Sequence, residues 1–304
     1  MNTEQKEALK LKILSRYELY KLQSSRLRRL LKDPVRTFIY YIMQYVAYIK
    51  PYKVHKKTLW GDTMSYYLPE GGMVYYYGFF EANLSNFFVN FLKEGDVFFD
   101  IGAHVGYYSV LASRLVGDGG KVIGFEPTPR TFTSLLENTE GKNNVEVYNN
   151  AVLNEEKEII FFDYGPKYSA FNSFKKRESD AIFFKDKVES FKVKTISIDM
   201  FCKENTLSPT FIKIDAEGSE YLILEAMSYV LDNSRPVITV EVSNDGDLLE
   251  NSLKSVKILQ NKGYVCYEIT LEGKLRRRTT EQIPLYDNLL FVHPTRFSRI
   301  KSLL

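Results

Sequence analysis

Two cysteines in 304 residues, Cys202 and Cys266, stand far apart and form no CxxC pair. Neither a disulfide framework nor a cysteine-based zinc site is expected, and a reducing cytoplasm fits. Histidine occurs three times, and no His-Glu-x-x-His is present. Gly-x-Ser-x-Gly and Gly-x-x-x-x-Gly-Lys-Ser/Thr are missing too, which argues against metalloprotease, esterase and P-loop chemistry. No stretch approaches the roughly 18–20 apolar residues that would span a bilayer. The start, Met1-Asn-Thr-Glu-Gln-Lys, lacks the apolar core of a signal peptide. There is no internal repeat and no low-complexity segment. Neither sign of charge dominates overall, at 41 − 38 = +3.

What is present is uneven. Tryptophan occurs once, against 22 Tyr and 21 Phe, which either fill a core or line a pocket for a cation or a sugar. Residues 1–60 hold 14 Lys/Arg against 4 Asp/Glu, a net of +10, which leaves −7 for the rest. The N-terminal part therefore meets something anionic or folds onto the acidic remainder. Residues 1–32 have the spacing of an amphipathic basic helix, interrupted by Asp33-Pro34. A second helix, uncharged and tyrosine-rich, is expected over 37–49. It packs on the catalytic domain or on a second subunit as a homodimer contact, or lies in a lipid surface at the inner face of the membrane.

From about residue 58 the texture changes, so the chain divides into a helical extension (1–57) and a catalytic domain (58–304). Strands are expected over 97–101, 121–126, 145–150, 211–215, 237–241, 264–269 and 289–292. Helices start between them near Val105, Pro129, Ser219 and Asp247, the alternation of a doubly wound sheet. An extra pair of strands, 158–162 and 192–198, flanks a long loop that is a candidate for acceptor binding through Tyr168, Asn172 and Ser173.

The densest chemistry lies in Asp100-Ile-Gly-Ala-His-Val-Gly106. A strand ends there, and a turn carrying Gly102, Ala103 and Gly106 leads into a helix whose N-terminus favours a carboxylate. Asp100 can accept from an ammonium group, so both ends of the methionine tail of S-adenosylmethionine find partners. Glu126, at the end of the next strand, suits two ribose hydroxyls, and Asn150-Ala151 would lie beside adenine. NAD remains an alternative ligand, in an oxidoreductase. The Gly-x-x-x-Gly spacing is not Gly-x-Gly-x-x-Gly, however, and Asp100 would repel a pyrophosphate. Asp215 and Glu217 reach the same rim, Asp215 as a donor-binding and catalytic carboxylate and Glu217 as a base, with His104 in the turn as a second base. Glu241 could join them, whereas Glu220 and Glu225 are expected on a solvated helix face. Magnesium is a weaker candidate, needing Asp215 with Asn244 or Asp245, and spacing alone assigns no metal. A nucleic-acid methyltransferase would use the basic N-terminus, but the Asn/Asp-Pro-Pro-Tyr/Phe tetrapeptide is missing.

The motifs in order, Asp100 to Ser109, Phe125-Glu-Pro127, Asn149-Asn-Ala-Val152, Ile198-Asp199, Ile212 to Glu220 and Asp287 to Val292, resemble the FkbM-type methyltransferases. The resemblance runs from about Tyr75 to Val292 and leaves residues 1–57 outside. It implies a seven-stranded class I methyltransferase sheet, Rossmann-like and mostly parallel, with a reversed last strand. It also implies S-adenosylmethionine as donor and a hydroxyl oxygen as acceptor, on a sugar, a glycolipid or a natural product. His104 stands where many relatives have Asn.

Overall fold

The computed structural model describes residues 1–22, 28, 30, 31, 33–165, 188–280 and 282–304. Tyr168, Asn172 and Ser173 lie outside the described residues.

The central sheet forms from the apolar runs. Strands β3 (Val97–Ile101), β4 (Lys121–Phe125), β5 (Val145–Tyr148), β9 (Phe211–Ile214), β10 (Val237–Ser243), β11 (Val265–Ile269), β12 (Leu275–Arg277) and β13 (Tyr286–Val292) take the order β12-β11-β13-β10-β9-β3-β4-β5. β5, β4, β3, β9 and β10 run parallel, and β13 is antiparallel to both β10 and β11. This is the expected α/β sheet with its reversed last strand, extended by the short edge strand β12. The central strands are covered on both faces, which is why they read as unbroken apolar runs. Successive side chains alternate between the two layers: Phe98 and Phe211 join one core cluster, Phe99 and Ile212 the other. Much of the phenylalanine is used here. Phe211 packs against Phe87, Phe88, Phe91 and Phe98 with centroids 5.1–5.8 Å apart.

The N-terminal residues build outward from this core. Helix α1 (Thr3–Leu22) buries Leu9 and Ile13 in the cluster that holds Phe87 and Phe88. Helix α2 (Pro34–Ile49) is followed by the hairpin β1 (Tyr52–Lys57) and β2 (Thr63–Leu68), paired from Tyr52↔Leu68 to Lys57↔Thr63. The hairpin therefore straddles the 57/58 division. Short helix α3 (Gly72–Tyr77) and helix α4 (Ala82–Phe91) then lead into β3. A separate three-stranded sheet joins β6 (Ala151–Val152), β7 (Glu158–Asp163) and β8 (Glu189–Ile196), matching the expected extra strand pair. No described helix is long and apolar enough to cross a membrane.

Candidate active site

The glycine turn is built as the sequence predicts, and for a different reason. Gly102 has φ +77°, and a Cβ there would stand 1.7 Å from the Asp215 carbonyl oxygen. What demands glycine is the loop after β9, pressed against the loop after β3. Gly106, at φ +86°, caps helix α5 (Tyr107–Val116), and its missing Cβ makes room for Leu135. Gly102→Ala is expected to cost about 1–3 kcal/mol of stability from the strained φ and the backbone clash. A thermal melt matching the wild type would show that the two loops separate freely.

These loops wall a cavity of about 260 Å³. It lies at the carboxyl ends of β3, β4, β9 and β10, where β3 and β9 form the switch point of the sheet, the place open α/β sheets bind ligands. Gly102, Ala103, His104, Glu126, Asn150, Ala151, Asp215 and Glu217 all line it. Asp100 and Gly106 do not. Asp100 is fully buried behind the turn, where Ser109 Oγ donates to its Oδ2 at 2.6 Å and Lys213 Nζ lies 3.8 Å from Oδ1. Its contacts in this structure are internal.

Glu126 accepts from the backbone N–H groups of Thr128 (2.8 Å) and His104 (3.0 Å), which fixes its carboxylate at the cavity wall. Burial raises its pKa above the ordinary carboxylate range. His104 is held in the left-handed region at φ 52°. Its Nε2 pairs with Glu70 Oε1 at 2.5 Å. Burial works against the imidazolium, but Glu70, with help from Glu126, outweighs it and raises the pKa. Asn150 Nδ2 donates to the Lys194 carbonyl.

Around the far wall stand Glu81 and, joining the rim as the sequence allowed, Glu241. Glu81 accepts from Tyr108 Oη (2.6 Å) and Asn288 Nδ2 (2.7 Å), and burial, then Asp215, push its pKa up to about 6. Glu241 accepts from Tyr286 Oη. Burial and the neighbouring Asp215 and Glu217 lift its pKa well above the ordinary value. Asp215, Glu217 and Glu241 bring carboxylate oxygens within 4.8 Å of one another. Asp245 does not join that trio, and Asn244 Nδ2 donates to the Ile283 carbonyl. Lys213 lies beneath, with Nζ 2.8 Å from Asp215 Oδ2. A lone lysine inside the apolar run Phe211–Ile214 was the available sequence signal for it.

Glu220 corrects an expectation. It is buried rather than solvated, and its Oε1 accepts from the N–H groups of Ala216 (2.9 Å) and Gly218 (3.1 Å). It thus ties the loop that presents Asp215 and Glu217, and burial raises its pKa to about 7. Glu225 is exposed as expected.

Residues 100–266, more than half of the chain, match the model of the methyltransferase FkbM domain. The chain belongs to the FkbM methyltransferase family. Similar solved structures include methyltransferase FkbM from Methylobacillus flagellatus KT, at 15% identity and a TM-score of 0.43, over 66% of this chain and 44% of that one. This chain thus spans less than half the length of that protein. Aeropyrum pernix fibrillarin with natively bound S-adenosyl-L-methionine aligns at 12% identity and TM-score 0.40, over 69% and 75% of the two chains. An S-adenosylmethionine-dependent methyltransferase from Aquifex aeolicus aligns at 18% and 0.33, over 66% and 84%. No curated protein matches this FkbM-family chain.

Proposed function

We propose that the cavity holds S-adenosylmethionine and that the protein transfers its methyl group to a hydroxyl oxygen of a sugar, glycolipid or natural product. The observation that carries this reading is the charge of the wall. Glu70, Glu81, Glu126, Asp215, Glu217 and Glu241 line the cavity, against Lys213 and His104. Such a wall attracts a ligand bearing a sulfonium and an ammonium and repels a pyrophosphate or a nucleic-acid backbone, which disfavours both NAD and the nucleic-acid alternative.

When bound, S-adenosylmethionine supplies an electrophilic methyl on a good thioether leaving group. The residues present fit it. Glu126 would accept from the ribose hydroxyls, Asn150 and Ala151 would flank the adenine, and Gly102, Ala103 and Asp215 would border the methionine tail. Asp100 and Gly106 act from behind by shaping the turn. Phe80, Tyr107, Tyr108 and Tyr286 also border the space, and aromatic rings suit a cation. An acceptor hydroxyl would take the methyl in line as the thioether leaves, and Glu217 would accept the hydroxyl proton. Holding the two reactants in line can contribute on the order of 7–11 kcal/mol.

Calorimetry with S-adenosylmethionine and with NAD, in separate titrations, tests the ligand. Binding of the methyl donor and none of NAD is expected; the reverse would overturn the reading. Glu126→Gln should weaken donor binding about tenfold, the loss of one charge-assisted hydrogen bond. Unchanged affinity would remove Glu126 from the ribose.

A further inference from the structure

Helix α2 presents two opposed faces. Towards the protein, Thr37 and Ala47 are buried and the Tyr40 ring stands 4.5 Å from Tyr76. On the other side Val35, Phe38, Ile39, Ile42, Val46 and Ile49, with Tyr45 at the edge, are between 47% and 69% exposed. At 3.6 residues per turn these seven side chains fall within an arc of about 120°, centred opposite the packed face. The stripe runs the length of the helix and contains no charge.

From Pro34 onward the segment carries charge of one sign. Residues 34–57 hold five Lys/Arg and no Asp or Glu. Lys53 is committed to Glu137 at 2.8 Å, whereas Lys50, directly after the helix, and Lys57 are exposed. A second copy laid on the same stripe would bring these cations together with no acid in the segment to meet them. A bilayer surface with anionic headgroups meets both features, by taking apolar side chains at the acyl boundary and cations at the headgroups.

We propose that α2 lies in the plane of an anionic lipid surface, its stripe sunk into the headgroup region and Lys50 and Lys57 on the phosphates. The inner face of the helix supports the cavity side. Gln44 and Tyr40 pack so closely on Gly72 that a Cβ there would stand 2.4 and 3.1 Å from their polar atoms. Glu70 and Gly71, just before it, line the cavity. Docking would therefore hold one wall of the site beside the lipid surface. The inference does not depend on which donor the cavity takes.

The test is sedimentation of the full chain with vesicles of phosphatidylcholine alone and of phosphatidylcholine doped with phosphatidylglycerol. Wild type is expected to sediment with the anionic vesicles only, less so as salt rises. F38D/I42D, changing two exposed side chains, should lose on the order of tenfold or more in vesicle affinity while keeping the wild-type melting temperature. K50E/K57E should lose anionic binding with the stripe intact. Failure of wild type to bind anionic vesicles overturns the proposal, as does equal binding by F38D/I42D. A dimer in light scattering that F38D/I42D splits, with no vesicle binding, would overturn it in favour of a second copy.

Discussion

Replacing Lys213 by Met is expected to destabilise the folded protein by about 3–5 kcal/mol near pH 8, with a much smaller deficit near pH 4. Lys213 is 2% exposed in the middle of the sheet, 2.8 Å from Asp215 and 3.8 Å from Asp100, with its ammonium over the Tyr108 ring at 5.3 Å. Burial opposes its charge, but Asp215 and Asp100 outweigh that and raise its pKa, so it stays a cation at every pH of interest. Methionine fills most of the volume and leaves the buried Asp100 and the half-buried Asp215 without their counter-charge. The pH sign follows from Asp100. Burial raises its folded pKa above the unfolded value, and Lys213 is the largest influence holding it down. Without Lys213 it rises further. An acid with a raised folded pKa contributes stability that is complete below its unfolded pKa and is lost as pH rises through the folded one. Glu81 and Glu220, raised to about 6 and about 7, act with the same sign in the wild type. Urea unfolding followed by circular dichroism at both pH values checks this; equal midpoints for wild type and variant at pH 8 would show that the carboxylates do not need the lysine.

Legibility divided along the same line between local and distant. The strand, turn and helix from Asp100 to Gly106, Glu126 at the next strand end and the Asp215–Glu217 rim are local patterns, and the structure brings their cavity-facing members together. The sheet order could be read because buried parallel strands and amphipathic helices alternate visibly. Glu70, Glu81 and Tyr286 could not be placed that way. Glu81 reaches the site only because Asn288, 207 residues later, and Tyr108 hold it there. The hairpin β1–β2, bearing Lys53, His55 and Lys57, is not among the expected strands, and its pairing is settled by the partner. Gly102 was legible as a glycine the turn requires, but not for its actual reason. The carbonyl of Asp215, more than a hundred residues on, excludes any side chain. Glu220 had the spacing of a helix surface, yet two orphan N–H groups of the preceding loop draw it inward.

Glu217→Gln should lower kcat by about 10²–10⁴-fold while donor affinity stays within a few-fold. The substitution is close to isosteric, and it leaves in place the hydrogen bonds that Glu220 gives the loop. Glu217 sits at φ 51°, and the backbone on either side of it is held by Glu220 through the N–H groups of Ala216 and Gly218. The change therefore exchanges the proposed proton acceptor for a neutral amide while those two bonds remain. It also removes one of the charges that lift the Glu241 pKa, so any ionisation limb belonging to Glu241 should move to lower pH in the variant. His104 is the rival base. Glu70 keeps it an imidazolium to higher pH than a free histidine, so it could accept a proton only above its raised pKa. His104→Ala is accordingly expected to lose less turnover at neutral pH than Glu217→Gln. Methyl transfer from labelled S-adenosylmethionine, measured on an acceptor of the proposed hydroxyl class, separates the two. Full turnover by Glu217→Gln with collapse of His104→Ala would transfer the base to the histidine in the turn.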